Sequence, residues 1–563
     1  MLGGAVAALA VLLTACAGLP TSGDVKTGLA LEDADLPPDI NQIAASPLPG
    51  ASPEEIVEGF LDAALTPADS WAIAREFLST ELAGTWRPSA GVTIDSGAGT
   101  REYVSDVTGD VDQAQTGEVR VLLDQMAQVD PAGAYTELSG DAAVTSFTLA
   151  RNAEGEWRIT QAADGIVLDS DAFTEVYRRY SLQFYDQTWT HLVPDVRWFP
   201  RRSQIATTLT QSLIAGDPSA WLAPAVRSAF PADVELARDS VPVDTEKVAT
   251  VELTSSALSL DAGELARMRT QLEATLSPAG VAEVRLLVNG RDLNAGTAPI
   301  AADRADSGAV VLTESEFGTL IGNEITTYDG ISSQIVELGA AVRTVDVAID
   351  NSRAAVQLDT GAVFTVGDGA VDQLDARPGL VAPSMDIYGY TWTVPSSSPQ
   401  SLIAWQPDVT PVPVAGAFAE ASTISDIRVG PEGVRIAAVV TVGGERWLAV
   451  AAIVRDADGV PTGIGPAHLA AQIDDTALGL SWVGEDELVA LLDSDGTLLV
   501  RAQDIGGPGD LSAAPAGATA LAGGASSSAV RLLSSDGVLY AQRGTTWQMG
   551  LSGILVLGTH AGQ

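Results

Sequence analysis

From about residue 305 to its C-terminus the chain repeats one unit, a short strand-like stretch that ends in a turn rich in Gly, Asp and Ser. Five of these units begin at Val345, Met385, Ile427, Leu480 and Val530, so their separations are 40, 42, 53 and 50 residues. Repeats of about 40–50 residues with several strands each are typical of β-propeller blades. No convincing helical pattern occurs in this part. We therefore predict an all-β propeller of about six blades over residues 305–563.

The N-terminus carries a different signal, an apolar run that ends at the chain's single cysteine, Cys16. The run is too short to span a bilayer but has the length of the apolar part of a secretory signal peptide. Its last residues and the cysteine, Leu-Thr-Ala-Cys over 13–16, resemble a bacterial lipobox. We predict a signal peptide over residues 1–15 and lipidation of Cys16 as an S-diacylglycerol, N-palmitoyl cysteine. The alternatives are a plain signal peptide and a short helix of a soluble protein.

No basic residue precedes Lys26, although a signal peptide usually opens with Lys or Arg. We therefore expect translation to begin upstream of the first residue printed. Residues 16–50 are rich in Pro, acidic and small residues, and we interpret them as the lipidated N-terminus and a flexible linker.

The next segment begins with Ser-Pro-Glu-Glu at residues 52–55, a pattern that caps a helix and complements its dipole. Apolar residues then recur at helical spacing, and four strand-like stretches follow a second amphipathic segment. This order predicts an α+β domain of cystatin-like type over residues 51–168. Three tryptophans are expected in its core: Trp71, Trp86 and Trp157.

Residues 173–202 bring five arginines together with many aromatic side chains in a chain that is otherwise strongly acidic. Arginines beside aromatic rings suit cation–π and carboxylate contacts with a partner. We predict partner binding for four residues: Arg197, Trp198, Arg201 and Arg202. The alternative is that the arginines of this segment pair with carboxylates of the same chain across a domain boundary.

After this segment the pattern alternates between helices and strands. Helical spacing of apolar residues predicts helices over 203–215 and 262–276, and a strand pattern runs into the Asn289-Gly290 turn. These elements predict a second domain with helices and strands, of α/β or α+β type, over residues 170–298.

The balance of 30 Lys+Arg against 73 Asp+Glu gives a net charge of −43. Such a surface repels phosphate backbones, so we exclude nucleic acid as a partner. It also disfavours a polybasic membrane contact, so the membrane link depends on lipid attached to Cys16. Once Cys16 is lipidated, no thiol remains for a disulfide, a thiolate metal site or a cysteine nucleophile.

Motifs for catalysis are missing from the sequence. None of the three histidines, His191, His468 and His560, has metal-ligand spacing, and neither a G-x-S-x-G elbow nor a P-loop occurs. We predict no cofactor, no metal and no catalytic residue, and expect a protein that is not an enzyme. A propeller glycosidase remains an alternative, because 73 acidic residues make paired carboxylates unavoidable.

Together these parts resemble the actinobacterial lipoprotein LpqB family. The resemblance includes the start of the mature chain at residues 16–23, Cys-Ala-Gly-Leu-Pro-Thr-Ser-Gly, and the order of the three domains. The middle domain is similar to a GerMN domain in residues 192–197, 213–218 and 288–290.

The resemblance implies a lipoprotein anchored on the extracellular face of the cell membrane. It implies an accessory regulator of a two-component system of the MtrA–MtrB type, acting through the extracellular domain of the sensor histidine kinase. Cell-envelope homeostasis and division would be affected. The alternative function is an envelope lipoprotein that binds peptidoglycan glycan or peptide.

Overall fold

The computed structural model describes residues 44–106, 114–201, 204–301, 308–367 and 369–562. The predicted signal peptide, Cys16 and most of the predicted linker lie outside the described residues. From residue 44 onward the chain forms one compact unit. Three folded regions follow one another within it, and their predicted boundaries stay predictions.

The first region opens with helix α1 (Pro53–Ala63). Ser52 and Glu55 form the predicted cap, since each side chain accepts a hydrogen bond from the other's backbone N–H. The apolar face of α1, with Val57 and Phe60, is buried against the sheet that follows. This burial is the physical reason for the helical spacing of apolar residues in the sequence.

The sheet of the first region has the strand order β5-β4-β3-β1-β6, with β2 beside β3. The elements are α2 (Ala72–Glu76), α3 (Thr80–Thr85), β1 (Val92–Asp95), β2 (Glu102–Asp106), β3 (Thr116–Val129), β4 (Tyr135–Arg151), β5 (Trp157–Gln161) and β6 (Ile166–Asp169). The α+β class is therefore confirmed. Trp71, Trp86 and Trp157 are all buried in the core, as predicted.

The middle region contains two small sheets, of order β8-β7-β9 and β10-β11-β12, together with helices. Its elements are α4 (Ser170–Val176), β7 (Tyr177–Asp186), β8 (Leu192–Pro200), α5 (Ile205–Ala215), β9 (Val226–Arg227), β10 (Val248–Glu252), α6 (Ala262–Leu276), β11 (Glu283–Val288) and β12 (Arg291–Asp292). Both predicted helices occur. α6 buries Met268, Leu272 and Leu276 along the predicted stripe.

The last region is the predicted propeller. Its first elements are β13 (Ala309–Leu312), β14 (Phe317–Ile321), β15 (Glu324–Thr327) and helix α7 (Ser332–Leu338). Two four-stranded blades follow. The first has β16 (Val342–Val347), β17 (Arg353–Leu358), β18 (Val363–Gly367) and β19 (Ala370–Asp375), and the second has β20 (Ser384–Met385), β21 (Thr391–Thr393), β22 (Ile403–Trp405) and β23 (Pro411–Pro413). The third blade has β24 (Ala421–Val429), β25 (Arg435–Val442), β26 (Glu445–Arg455), β27 (Pro461–Ile464) and β28 (His468–Gln472). The fourth has β29 (Thr476–Val483), β30 (Glu487–Ser494), β31 (Thr497–Asp504) and β32 (Gly509–Ala513). The fifth has β33 (Ala518–Ala522), β34 (Arg531–Ser534), β35 (Val538–Arg543) and β36 (Thr546–Ser552), and β37 (Val556–His560) ends the chain.

The sixth blade closes the ring with strands from both ends of the propeller. The C-terminal strand β37 pairs antiparallel with β13, which continues outward to β14 and β15. Strand β37 also lies beside β16 of the first blade, with Asp346 opposite Thr559. Closure of this kind joins the last blade to the first, and each blade keeps only a short outer edge, such as β15 or β19.

Hydrogen bonds between neighbouring blades support the ring. The Asp346 carboxylate accepts from the Met385 backbone N–H at 2.6 Å and from the Thr559 hydroxyl at 2.9 Å. The Ser481 hydroxyl accepts from the backbone N–H of Gly523 at 2.9 Å. Asp346 and Ser481 lie on the first, inner strands of their blades. Donors from the neighbouring blades therefore satisfy the hydrogen-bonding capacity of these buried side chains.

Two sequence expectations for the propeller need correction. Helix α7 lies within the part that was expected to contain no convincing helix. Its buried residues are Ser332 and Ile335, and a pattern this short cannot be recognised as helical from the sequence. The repeat that begins at Val530 marks the second strand of the fifth blade, since β33 precedes it. Strand β33 is rich in alanine, so its sequence lacks the larger apolar residues from which a strand is recognised.

Candidate functional site

The segment predicted to bind a partner forms β7 and β8, which lie between the first region and the propeller. Trp198 is buried and bridges all three regions. Its backbone N–H donates to the Gly133 carbonyl at 2.8 Å, and its indole N–H donates to the Gly506 carbonyl at 2.8 Å. Its ring lies 4.7 Å from that of Phe173, centroid to centroid. Trp198 therefore anchors the regions to each other.

Arg197 is also buried, with only 4% of its surface exposed. Its guanidinium donates to the Asp195 carboxylate at 2.7 Å. Asp195 accepts in addition from the backbone N–H and the hydroxyl of Ser219, each at 2.7 Å. An outside partner can reach neither Arg197 nor Trp198 while this packing is intact.

The other two predicted residues lie differently. Arg201 is exposed and donates to the Thr174 carbonyl at 3.1 Å, so its side chain borders solvent. Arg202 and Cys16 lie outside the described residues. The partner-binding role of this set stays a prediction, and Arg201 is its accessible member within the described part of the chain.

The alternative explanation of the arginines holds for Arg179. This side chain crosses from β7 to the propeller, where its guanidinium pairs with Asp504 and lies 3.8 Å from Asp486. The Ser181 hydroxyl donates to Asp486 at 3.2 Å. One cation thus meets several carboxylates at this boundary, because Glu487 lies in the same cluster.

Burial, together with the excess of carboxylates over cations, shifts the pKa values of the carboxyls in this cluster. Burial and the neighbouring Asp504 raise the pKa of Glu487 to about 7, although Arg179 opposes the shift. Burial also raises the pKa of Asp504. Glu487 is therefore the carboxyl of this cluster that we expect to titrate near neutral pH.

A second network joins the middle region to the propeller at Tyr388. The Tyr388 hydroxyl donates to Asp186 at 3.4 Å, and the Arg455 guanidinium lies 4.2 Å from the Tyr388 ring centroid. Arg455 donates to Asp386 at 2.6 Å, and the indole of Trp392 donates to the same carboxylate at 2.9 Å. Both carboxylates are buried, so these bonds satisfy groups that would otherwise destabilise the interface.

The first region also reaches the propeller. Arg501 pairs with Glu137 at 3.3 Å, and both side chains are largely buried. Trp221 of the middle region stacks on His468 with 5.6 Å between ring centroids. These contacts make the three described regions one assembly rather than loosely linked domains.

The propeller residues of this interface were not predicted from the sequence. Asp386 and Asp486 lie in the turns after the inner strands β20 and β29, and more than 180 residues separate them from Arg179 and Asp186. Both aspartates occur in the repeat units from which the propeller was predicted. An acidic residue in the turn of each unit was the sequence signal that could have identified these interface residues.

Metal-type clusters, grooves and membrane-spanning helices are the remaining features of the described residues that bear on function. Within those ranges, no group of three or more His, Cys, Asp and Glu side chains is placed to hold a metal ion. A groove of about 1180 Å³ lies between the fifth and sixth blades, and its acidic lining includes Glu314, Glu316, Glu324 and Asp536. Across the described helices, none has both the length and the apolar character needed to cross a membrane.

Three protein families match successive parts of the chain. Residues 46–174 match the family described as Lipoprotein LpqB, N-terminal domain. Residues 181–294 match the Germane family, described as Sporulation and spore germination. Residues 316–553 match the family described as Lipoprotein LpqB beta-propeller domain.

Relatives named Lipoprotein LpqB come from actinobacteria. The chain is 28% identical to Lipoprotein LpqB of Streptomyces coelicolor over 532 residues, which covers 85% of this chain and 84% of that protein. It is 26% identical to Lipoprotein LpqB of Streptomyces avermitilis over 598 residues, covering 97% and 96%. A shorter match to Lipoprotein LpqB of Thermobifida fusca is 33% identical over 282 residues, covering 48% and 43%.

Solved structures give more distant matches. The nidogen/laminin complex matches with a TM-score of 0.32 and 8% identity, covering 44% of this chain and 96% of that chain. The tandem GerMN domains of GerM from Bacillus subtilis match with a TM-score of 0.18 and 15% identity, covering 36% and 63%. At these scores the structural matches carry no argument about function.

Proposed function

The chain belongs to the lipoprotein LpqB family, and we propose that it is a lipid-anchored accessory regulator of a two-component sensor histidine kinase of the MtrA–MtrB type. In this proposal Cys16 carries the lipid and holds the protein on the extracellular face of the membrane. The folded regions contact the extracellular domain of the kinase. Through the kinase, the protein affects cell-envelope homeostasis and division.

One observation carries the proposal. The two LpqB domains and the Germane domain follow each other from residue 46 to residue 553, and none of the three family descriptions names an enzyme. The relatives are named as lipoproteins, which supports a membrane anchor. The buried contacts of Trp198, Arg179 and Arg455 support a rigid body that presents one surface to a partner. A rigid surface binds with less loss of conformational entropy than a flexible one.

The test is reconstitution of the lipidated full chain with the sensor kinase in proteoliposomes. We expect the chain to retain the isolated extracellular domain of the kinase on beads and to change the rate of kinase autophosphorylation. The Cys16→Ala variant should still bind the isolated domain but lose the effect in proteoliposomes, because it is not held at the membrane.

The surface can be tested separately with Arg201→Glu, since reversing the buried Arg197 would disrupt the fold. Arg291→Glu is the matched control, an exposed arginine of the same region. Weaker binding of the Arg201 variant alone would support the predicted face. No retention of the kinase domain by the wild-type chain would contradict the regulator proposal, and retention on purified peptidoglycan without any kinase would favour the cell-wall alternative.

A further inference from the structure

The turn between β7 and β8 presents Trp189 in an unusual backbone conformation. Its φ is +63°, in the left-handed region that bulky residues rarely adopt. Asp186 holds the turn, because its carboxylate accepts from the backbone N–H of Thr190 at 2.7 Å and of His191 at 3.1 Å. The ring of Trp189 is half-buried. Strained residues that the surrounding structure holds in place often occur at binding sites.

Two arginines approach this one indole from different elements. The guanidinium carbon of Arg227, on β9, lies 5.0 Å from the Trp189 ring centroid. That of Arg267, on α6, lies 4.6 Å from it. The two guanidinium carbons are therefore no more than about 9.6 Å apart, the sum of these distances. Like charges this close repel each other, since the screening length at 0.1 M salt is about 10 Å.

Neither arginine forms an ion pair with a carboxylate of the described residues. Arg227 donates to the side-chain carbonyl of Gln187, but its buried Nε has no hydrogen-bond partner there. This contrasts with Arg197 and Arg455, whose guanidiniums each pair with a buried aspartate. Two cations against one indole without a carboxylate partner in the described residues are unexpected in a chain of net charge −43.

A carboxylate bound at the N–H edge of these guanidiniums would supply the missing counterion. A guanidinium stacked on an aromatic face keeps its N–H edge free, and that edge matches a carboxylate in its plane. The Tyr185 hydroxyl donates to the Arg267 carbonyl at 3.2 Å, so the position of Arg267 on α6 is supported from within the region. The backbone of α6 at Arg267 is therefore tied to β7.

Charge decides which kind of anion fits. A surface of net charge −43 repels an extended polyanion along its whole length, so a polyphosphate or a nucleic acid is disfavoured. A peptide segment that places one or two carboxylates at the arginines experiences the local positive charge and much less of that repulsion. Its neutral part can pack on the exposed edge of Trp189.

We propose that Trp189, Arg227 and Arg267 form a binding site for a carboxylate-bearing peptide segment. The site lies in the middle region and does not depend on the sensor-kinase proposal. It would serve any acidic peptide partner, and failure of one proposal leaves the other standing.

The experiment is calorimetric titration of the full chain in detergent with a blocked Glu-Gly-Glu tripeptide. We expect binding that a blocked Gln-Gly-Gln tripeptide does not reproduce and that weakens as salt is raised. Arg267→Gln should weaken binding about tenfold or more, since it removes one charge-assisted contact. Arg291→Gln removes one exposed arginine of the same region and should leave the affinity unchanged.

Arg227 is half-buried, so Arg227→Gln is compared only after its thermal unfolding has been shown to match the wild type. Arg267→Gln keeps the proposal testable if that variant does not fold. Equal affinity for the acidic and neutral tripeptides would overturn the proposal, as would unchanged affinity in Arg267→Gln. A third titration uses inorganic phosphate, and binding of phosphate at Arg267 without binding of the acidic tripeptide would overturn the assignment to a peptide.

Discussion

The indole N–H of Trp198 donates a 2.8 Å hydrogen bond to the carbonyl oxygen of Gly506, which lies 308 residues further along the chain. The bond joins the middle region to a tight loop of the propeller. A Cβ on the neighbouring Gly507 would lie 3.1 Å from the Trp198 ring, so little space separates the two. Trp198, which was predicted to bind a partner, thus forms an internal joint between the middle region and the propeller.

The first prediction concerns this joint. Trp198→Phe keeps an aromatic ring but leaves the Gly506 carbonyl without its donor and opens a small cavity. We expect the free energy of unfolding, measured by urea titration, to fall by about 1–3 kcal/mol. Trp547→Phe is the control, because the Trp547 indole also donates to a backbone carbonyl, of Ala513 at 3.1 Å, but at the exposed edge of the propeller. Equal losses in both variants would contradict the role given to Trp198.

The second prediction concerns the buried pair of Arg455 and Asp386. Only 4% of the Arg455 side chain and none of the Asp386 side chain is exposed. Arg455→Met leaves a buried carboxylate without its cation, so we expect a loss of about 3–5 kcal/mol in the free energy of unfolding. The same change at Arg87, whose side chain is 74% exposed in its pair with Asp164, should cost less than about 1 kcal/mol. A similar effect at both sites would show that burial of the pair does not matter.

The third prediction concerns pH. Burial and Asp504 raise the pKa of Glu487 from its usual 4.5 to about 7 in the folded protein. The folded state therefore holds this proton more tightly than the unfolded chain, and the resulting stability is complete below pH 4.5 and is lost as pH rises through 7. Glu487→Gln keeps a neutral side chain at every pH. We expect this variant to exceed the wild type in stability by up to about 3 kcal/mol at pH 8 and to match it at pH 4.

Unfolding measured at both pH values checks this prediction. Glu58→Gln is its control, because Glu58 is exposed on α1. If the difference between Glu487→Gln and the wild type is the same at pH 4 and pH 8, Glu487 does not titrate as described.

The fourth prediction concerns Cys16. Replacement by Ala removes the thiol that would carry the lipid, and each buried CH₂ of an acyl chain contributes about 0.8 kcal/mol to membrane binding. We expect Cys16→Ala to move from the membrane fraction to the soluble fraction after cell lysis. An Ala variant that stays uncleaved in the membrane pellet would contradict the lipoprotein assignment of this residue.

Local structure was predicted well from local sequence. The Ser52 cap of α1, the apolar stripe of α6 and the alternation of strands with Gly and Asp turns each depend on residues a few positions apart. Trp71, Trp86 and Trp157 were also expected in the core of the first region, and all three are buried. Helix α7 was missed because seven residues give too little periodicity to separate it from a loop.

The sequence by itself determined the order and class of the folded regions and the thiol-free body after Cys16, because periodicity, capping and composition are local properties. Only the tertiary structure decided that Arg179 and Arg197, two arginines of the aromatic segment, pair with carboxylates of the chain itself. Arg197 and Arg179 look alike in sequence, but one pairs with Asp195 two residues away and the other with Asp504 across the propeller boundary. Ion pairing depends on distance in space and on burial, and neither is encoded in spacing along the chain.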